Sequence, residues 1–94
     1  AAALAAFAAG LERLPNRPTV TLLAVSEFGR RLRENGSRGT DHGSASVALL
    51  FGDQLPDRLL GHYPSLSQLD DRGDLIPGIS PPALYRQVLQ VAGF

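Results

Sequence analysis

Two apolar runs dominate the pattern of the chain. Val20 to Val25 and Ala45 to Phe51 are aliphatic or β-branched at most positions, which is the mark of strands covered on both faces rather than on one. Continuous hydrophobicity of this kind predicts a mostly parallel α/β sheet. Between the runs lie Ser26-Glu27-Phe28-Gly29-Arg30 and the glycine-rich Gly39-Thr40-Asp41-His42-Gly43. Ligands of such sheets collect beyond the carboxyl ends of the strands, so this intervening segment is the candidate functional edge.

Helical periodicity frames the two runs. Ala1 to Leu14 is rich in Ala, and Leu4, Phe7, Ala8 and Leu11 recur at the helical period, predicting a helix with one buried stripe that Pro15 ends. Pro15-Asn16-Arg17-Pro18 then forces an extended link into the first strand. Glu27 to Glu34 is expected to form a short helix capped by Ser26, with Phe28 and Leu32 on one face and Arg30 and Arg31 in reach of Glu34. Asn35-Gly36 reads as its stop, and Gly36 to Ser44 as an irregular loop.

Periodicity is lost from Gly52 to Gly78, where Pro56, Pro64 and Pro77 interrupt a mostly loop-like stretch and Ser67 is expected to cap a single helical turn. The last element is clearer. Ser80 as N-cap and Pro81 at the first helical position open a helix whose apolar face is Leu84, Tyr85, Val88, Leu89 and Val91, and Gly93 stops it.

Composition narrows the functional classes. The chain has 94 residues with 9 basic and 9 acidic side chains, giving zero net charge, and every basic residue is Arg. Nothing draws such a chain as a whole to nucleic acid or anionic lipid. The absence of cysteine removes disulfides, thiolate metal sites and a Cys nucleophile. The opening Ala, Leu and Phe residues lack the basic flank of a secretory signal, and Gly10, Glu12 and Arg13 interrupt them before a membrane span is reached. With no initiator Met, residues 1–94 are expected to be a single α/β segment, the C-terminal part of a larger domain that supplies its upstream neighbours. Left alone, the segment is expected to expose sheet edges and to self-associate.

Several side chains carry chemistry, each with a plainer reading beside it. Asp41 and His42 together suit Zn, Mn or Fe better than Ca or Mg; alternatively Asp41 closes an Asx-turn and His42 is a surface residue. Glu27 is either an acid at the active edge or a first-turn residue favoured by a helix dipole. Arg30, one residue beyond Gly29, is the oxyanion candidate of the cluster Arg30, Arg31, Arg33 and Arg38, whereas Arg31 and Arg33 read as a solvated face paired with Glu34. His62 reads as a surface or hydrogen-bonded residue before it reads as a ligand. Asp70, Asp71 and Asp74 around Gly73 lack the spacing of a calcium loop and read as a turn. Ser26 and Thr40 have no base beside them to make either a nucleophile.

The motifs together, Val25-Ser26-Glu27-Phe28-Gly29-Arg30, Asn35-Gly36, Gly39-Thr40-Asp41-His42-Gly43, Gly61-His62-Tyr63-Pro64-Ser65-Leu66, Leu69-Asp70, Gly73-Asp74-Leu75 and a closing helix containing Tyr85, resemble the C-terminal part of a large uncharacterised bacterial family. Its members often carry a twin-arginine export signal, and the family resembles a branch of the alkaline phosphatase and sulfatase superfamily. Two registers of that likeness exist. In one, Asp41-His42-Gly43 stands for the superfamily's Asp-His-Gly metal motif. In the other, Ser26-Glu27-Phe28-Gly29 stands for its Ser/Thr-Asp-His-Gly and His42 for a later histidine. The second keeps the order strand, acidic turn, loop histidine, strand, and puts Phe28 where a ligating histidine would stand.

The resemblance implies an alkaline phosphatase-like α/β fold, of which this chain is a fragment of a mostly parallel sheet flanked by helices. It implies an exported or periplasmic, metal-dependent hydrolase-like protein acting on a phosphate or sulfate ester. Glu27, Asp41 and His42 would hold a divalent ion (Zn, Mn or Fe), Arg30 would assist the oxyanion, and the nucleophile would lie upstream. The alternative is a non-catalytic module that keeps the fold and binds a partner at the same edge. A nucleic-acid binder using the Arg cluster is disfavoured by the zero net charge.

Overall fold

The computed structural model describes residues 1–94. Helix α1 covers Ala2–Glu12, strands β1 to β4 cover Leu22–Val25, Gly29–Glu34, Thr40–Gly43 and Ala48–Phe51, and helix α2 covers Pro81–Val91. The two apolar runs form β1 and β4, and these pair with each other, antiparallel, from Leu22 opposite Phe51 to Val25 opposite Ala48. The segment between them is not a helix and a loop but a second antiparallel pair. β2 and β3 align Gly29 with Gly43 and Arg30 with His42, then, past an irregularity, Glu34 with Thr40.

The two ladders are one long hairpin interrupted in the middle. Ser26 to Phe28 on the way out oppose Ser44 to Val47 on the way back, so the outer register passes into the inner one with a single residue of slip. Across this gap the Ser26 and Ser46 hydroxyls lie 2.8 Å apart, and Ser26 Oγ also donates to the Phe28 carbonyl at 3.0 Å. Ser26 is therefore a bridge between the arms rather than a helix cap. The expectation of parallel strands fails for this pair because β1 and β4 are the outer arms of one hairpin whose tight turn, between β2 and β3, reverses the chain. Each ladder has two strands, so β1 and β4 keep free outer edges.

The expected helix over Glu27 to Glu34 fails for a specific reason. Asn35-Gly36 is a hairpin turn, not a helix stop. The Asn35 side-chain oxygen accepts from the Ser37 and Gly39 amides at 2.9 and 3.0 Å, Asn35 N–H donates to the Gly39 carbonyl at 2.8 Å, and Arg38 N–H donates to the Asn35 carbonyl at 3.1 Å. Arg38 takes the left-handed position of this three-residue loop, with φ of 61°. Once the turn closes, the arginine-rich arm is held by backbone pairing and its side chains need no apolar face.

The helices behave locally as the sequence requires. Ser80 Oγ accepts from the Ala83 amide and Pro81 opens α2. Its end is a Schellman motif, in which Phe94 N–H donates to the Leu89 carbonyl and Gly93 N–H to Gln90, with Gly93 at φ of 91°. No helical turn forms at Ser67; Ser65 Oγ instead accepts from the Ser67 and Gln68 amides in a hydroxyl-closed bend. No helix is long and apolar enough to cross a membrane.

Packing is where the chain departs from a finished domain. No hydrophobic side chain is fully buried, and both expected apolar stripes are only partly covered: Leu4, Leu11, Leu84, Val88 and Val91 are half-buried, whereas Phe7 of α1 stays 48% exposed and Leu89 of α2 54%. The chain measures 52 × 29 × 19 Å with a radius of gyration of 16.7 Å, against about 12 Å for a compact domain of this length. An open cleft of about 880 Å³ separates the outer hairpin from α2, lined by Leu23, Val25, Leu50, Leu84, Tyr85 and Val88.

Candidate functional site

β2 and β3 set the geometry of the candidate edge. Because Arg30 and His42 are cross-strand partners, their side chains share one face of the hairpin, and Phe28, two residues before Arg30, joins them. The Phe28 and His42 rings stack with centroids 3.5 Å apart and planes inclined by 14°. The Arg30 guanidinium carbon lies 4.9 Å from the Phe28 centroid, within the range of a cation–π contact. Arg30 Nη1 also donates to the Thr40 carbonyl at 2.7 Å. The result is an exposed cluster in which one aromatic ring and one carbonyl fix a guanidinium beside an imidazole.

The candidate acids do not join this cluster. Asp41 follows Thr40 and precedes His42 on the same strand, and successive strand residues project to opposite faces. Its Oδ1 accepts from the Asn35 side-chain amide at 2.9 Å, so Asp41 serves the hairpin turn. Glu27 lines the apolar cleft, which neither Asp41 nor His42 borders. No group of three His, Cys, Asp or Glu residues is placed to hold a metal ion. A catalytic zinc generally takes three protein ligands, and Glu27, Asp41 and His42 are not brought together as such a set. His62 packs on the backbone at Gly78 and borders the same cleft as Glu27.

The acidic turn proves to have a different use. Asp70 Oδ1 accepts from the Arg72 and Asp74 amides, both at 2.9 Å, and Leu69 and Leu75 bridge its base. The Asp74 amide, helped by the Arg72 amide and the Arg72 and Arg31 charges, holds the Asp70 carboxyl below its ordinary value, although partial desolvation opposes the shift. This turn presents two acceptors to Arg31: Asp74 Oδ1 at 2.6 Å from Nε and the Arg72 carbonyl at 2.6 Å from Nη2. Asp74 is 2% exposed. Arg31 is therefore paired with a distant carboxylate, not with Glu34, because as a strand residue it is not carried round to the helical position that would meet Glu34.

Two contacts were invisible to periodicity. The Phe28 to His42 stack follows from hairpin register, and its local signal is the Asn35-Gly36 turn alone, since Gly29–Glu34 and Thr40–Gly43 show no apolar–polar alternation. The Arg31 to Asp74 pair spans 43 residues and has no local signal.

Comparison with known proteins gives one relationship. No curated protein and no solved structure matches the chain. A family model described as a protein of unknown function (DUF1501) matches residues 1–72. That match takes in α1, all four strands and the stack of Phe28 on His42, and the chain belongs to the DUF1501 family.

Proposed function

We propose that this chain supplies an anion-recognising edge to an exported protein whose complete domain is alkaline phosphatase-like, and that its ligand is the phosphate or sulfate group of an ester. The observation that carries the reading is the placement of Arg30 beside His42 on one exposed face, with Phe28 and the Thr40 carbonyl holding the guanidinium in place. One Arg30 nitrogen is committed to Thr40, which leaves the other N–H groups and the imidazole edge to donate to a tetrahedral oxyanion. Export by the twin-arginine route and the phosphatase or sulfatase kinship are supported by the motif resemblance.

Binding, rather than hydrolysis, is the role assigned to these residues. In the hydrolase form of the reading, a zinc, manganese or iron ion would polarise the ester. Glu27, Asp41 and His42 are not gathered into a metal-holding group, so no step through an ion is built on them. The non-catalytic form is favoured by Phe28, which occupies the stack with a side chain that ligates nothing.

The test is calorimetric titration of inorganic phosphate and sulfate into the protein expressed from its complete reading frame, with Arg30→Ala and His42→Ala beside it. Each variant is expected to weaken binding by about tenfold or more, the loss of a charge-assisted hydrogen bond. Equal affinity in wild type and both variants would overturn the assignment. Metal analysis of the same samples checks the hydrolase form: stoichiometric zinc, manganese or iron lost in His42→Ala would restore it.

A further inference from the structure

We infer that Asp74 is a positioning residue for the oxyanion-binding Arg30, acting through Arg31; the inference rests on the reading of Arg30 and His42 as an anion site. Arg30 is the last β2 residue in regular register. Between its pairing with His42 and that of Glu34 with Thr40, Arg31, Leu32 and Arg33 oppose Asp41 alone. An irregularity of this size bends a strand and redirects the side chains beside it, so the direction of Arg30 depends on what fixes the extra residues.

Arg31 is what fixes them. Its guanidinium donates through Nε to Asp74 Oδ1 and through Nη2 to the Arg72 carbonyl, each at 2.6 Å, a forked contact that sets orientation as well as distance. The acceptors are themselves immobilised: Asp74 is almost wholly enclosed, and the Asp70 carboxylate holds the Arg72 and Asp74 amides. From the other side the chain is confined by Gly43, where a Cβ would lie 2.7 Å from the Arg30 carbonyl carbon and 2.9 Å from the Arg31 nitrogen. The Arg30–Arg31 peptide is thus held between β3 and the acidic turn. Arg30 faces Phe28 and Thr40 while Arg31 faces Asp74 and Arg72. Releasing Arg31 frees the bulge, and Arg30 loses its fixed aim without losing any of its own donors.

The test uses the protein from its complete reading frame, with inorganic phosphate as the probe. Asp74→Asn is expected to weaken phosphate binding about tenfold at a temperature where far-UV circular dichroism matches wild type, and Asp74→Glu to recover part of the loss. The decisive readout is coupling. If Asp74 acts through Arg30, the double variant Asp74→Asn/Arg30→Ala binds no more weakly than Arg30→Ala alone, whereas a general structural defect adds its own cost. Where Asp74→Asn does not fold, Arg31→Lys replaces it, since an ammonium keeps the charge but not the fork. Undiminished affinity in Asp74→Asn beside a clear loss in Arg30→Ala overturns the positioning role and leaves the anion site standing. No loss in Arg30→Ala removes the anion site and the inference with it.

Discussion

The carbonyl oxygen of Ala45 occupies the place where a side chain on Gly29 would begin: a Cβ built there would lie 1.5 Å from it. Gly29 is one of two buried residues in the chain, and it stands where the interrupted part of the hairpin re-enters regular pairing. Gly29→Ala is therefore expected to cost about 3 kcal/mol or more, because backbone, not a flexible side chain, must move aside. Gly36→Ala is the control, since a Cβ there meets nothing within 4 Å. Denaturant unfolding of both variants checks the pair, and equal stability would mean that the two arms are not in contact at Gly29.

Arg38 sits at φ of 61°, the position that glycine usually takes in a three-residue hairpin loop. An L side chain in the left-handed region costs roughly 1–2 kcal/mol, and nothing in the turn's hydrogen bonding requires the guanidinium. Arg38→Gly is expected to raise stability by up to about 1 kcal/mol, the strain relieved being partly offset by the freer unfolded chain. A lower unfolding midpoint in this variant would show that the Arg38 side chain has a partner that holds the turn.

Legibility followed the range of the interactions. Both helices were readable because their signals are local: the Ala-rich run for α1, and Ser80, Pro81 and Gly93 for α2. β1 and β4 were readable as apolar runs, but neither their direction nor their cover was: Val25, Leu49 and Phe51 stay exposed, and an apolar run does not say which strand it pairs with. The error at Glu27 to Glu34 was one of competing readings. Arg and Glu at helical spacing fit a helix, yet Asn35-Gly36 fits a hairpin better, and the turn decided. Within the candidate site, Arg30 and His42 stand out in the sequence for their chemistry and are neighbours in space. The grouping of Asp41 with His42 rested on adjacency in sequence, which on a strand sends side chains apart.

Under the proposed reading, Phe28 is expected to matter for binding more than for folding. It is half exposed, stacks on His42 and underlies Arg30. Phe28→Leu keeps apolar bulk but removes the stack and the cation–π contact, interactions worth about 0.5–1.5 kcal/mol. Under the proposed reading phosphate affinity should fall several-fold, beside a stability loss of no more than about 1.5 kcal/mol. A large stability loss with unchanged affinity would make Phe28 a packing residue only.

The Asp70 carboxyl is held below its ordinary value by the Asp74 and Arg72 amides and by nearby arginines. A depressed folded pKa means that ionised Asp70 stabilises the native state above its unfolded value, and that this contribution fades as pH falls through the folded value. Asp70→Asn keeps an oxygen to accept the same amides and removes the charge. The stability gap between wild type and Asp70→Asn should be widest near neutral pH and close in acid, below about pH 4. A gap that stays constant from pH 7 to pH 3 would show that the charge has no part in the turn.

Exposure gives the last prediction. A compact monomer of 10.0 kDa shows roughly 5,200 Å² of surface to solvent, whereas this chain shows 7542 Å². The excess is not polar decoration: Val47, Leu49, Leu59 and Phe94 are each more than half exposed, and both outer strands keep an unpaired edge. A standard protein interface hides about 800 Å² per partner, too little to cover the difference, so the faces call for cover on the scale of domain packing. Under the proposed reading, other segments of the same protein provide it. The chain of residues 1–94 by itself should then bind a hydrophobic dye such as ANS and sediment as mixed oligomers, while the protein from its complete reading frame should do neither. If the 94-residue chain sediments as a single monomeric species with no dye binding, it closes its own faces. The cleft between the hairpin and α2 would then have to be collapsed in solution.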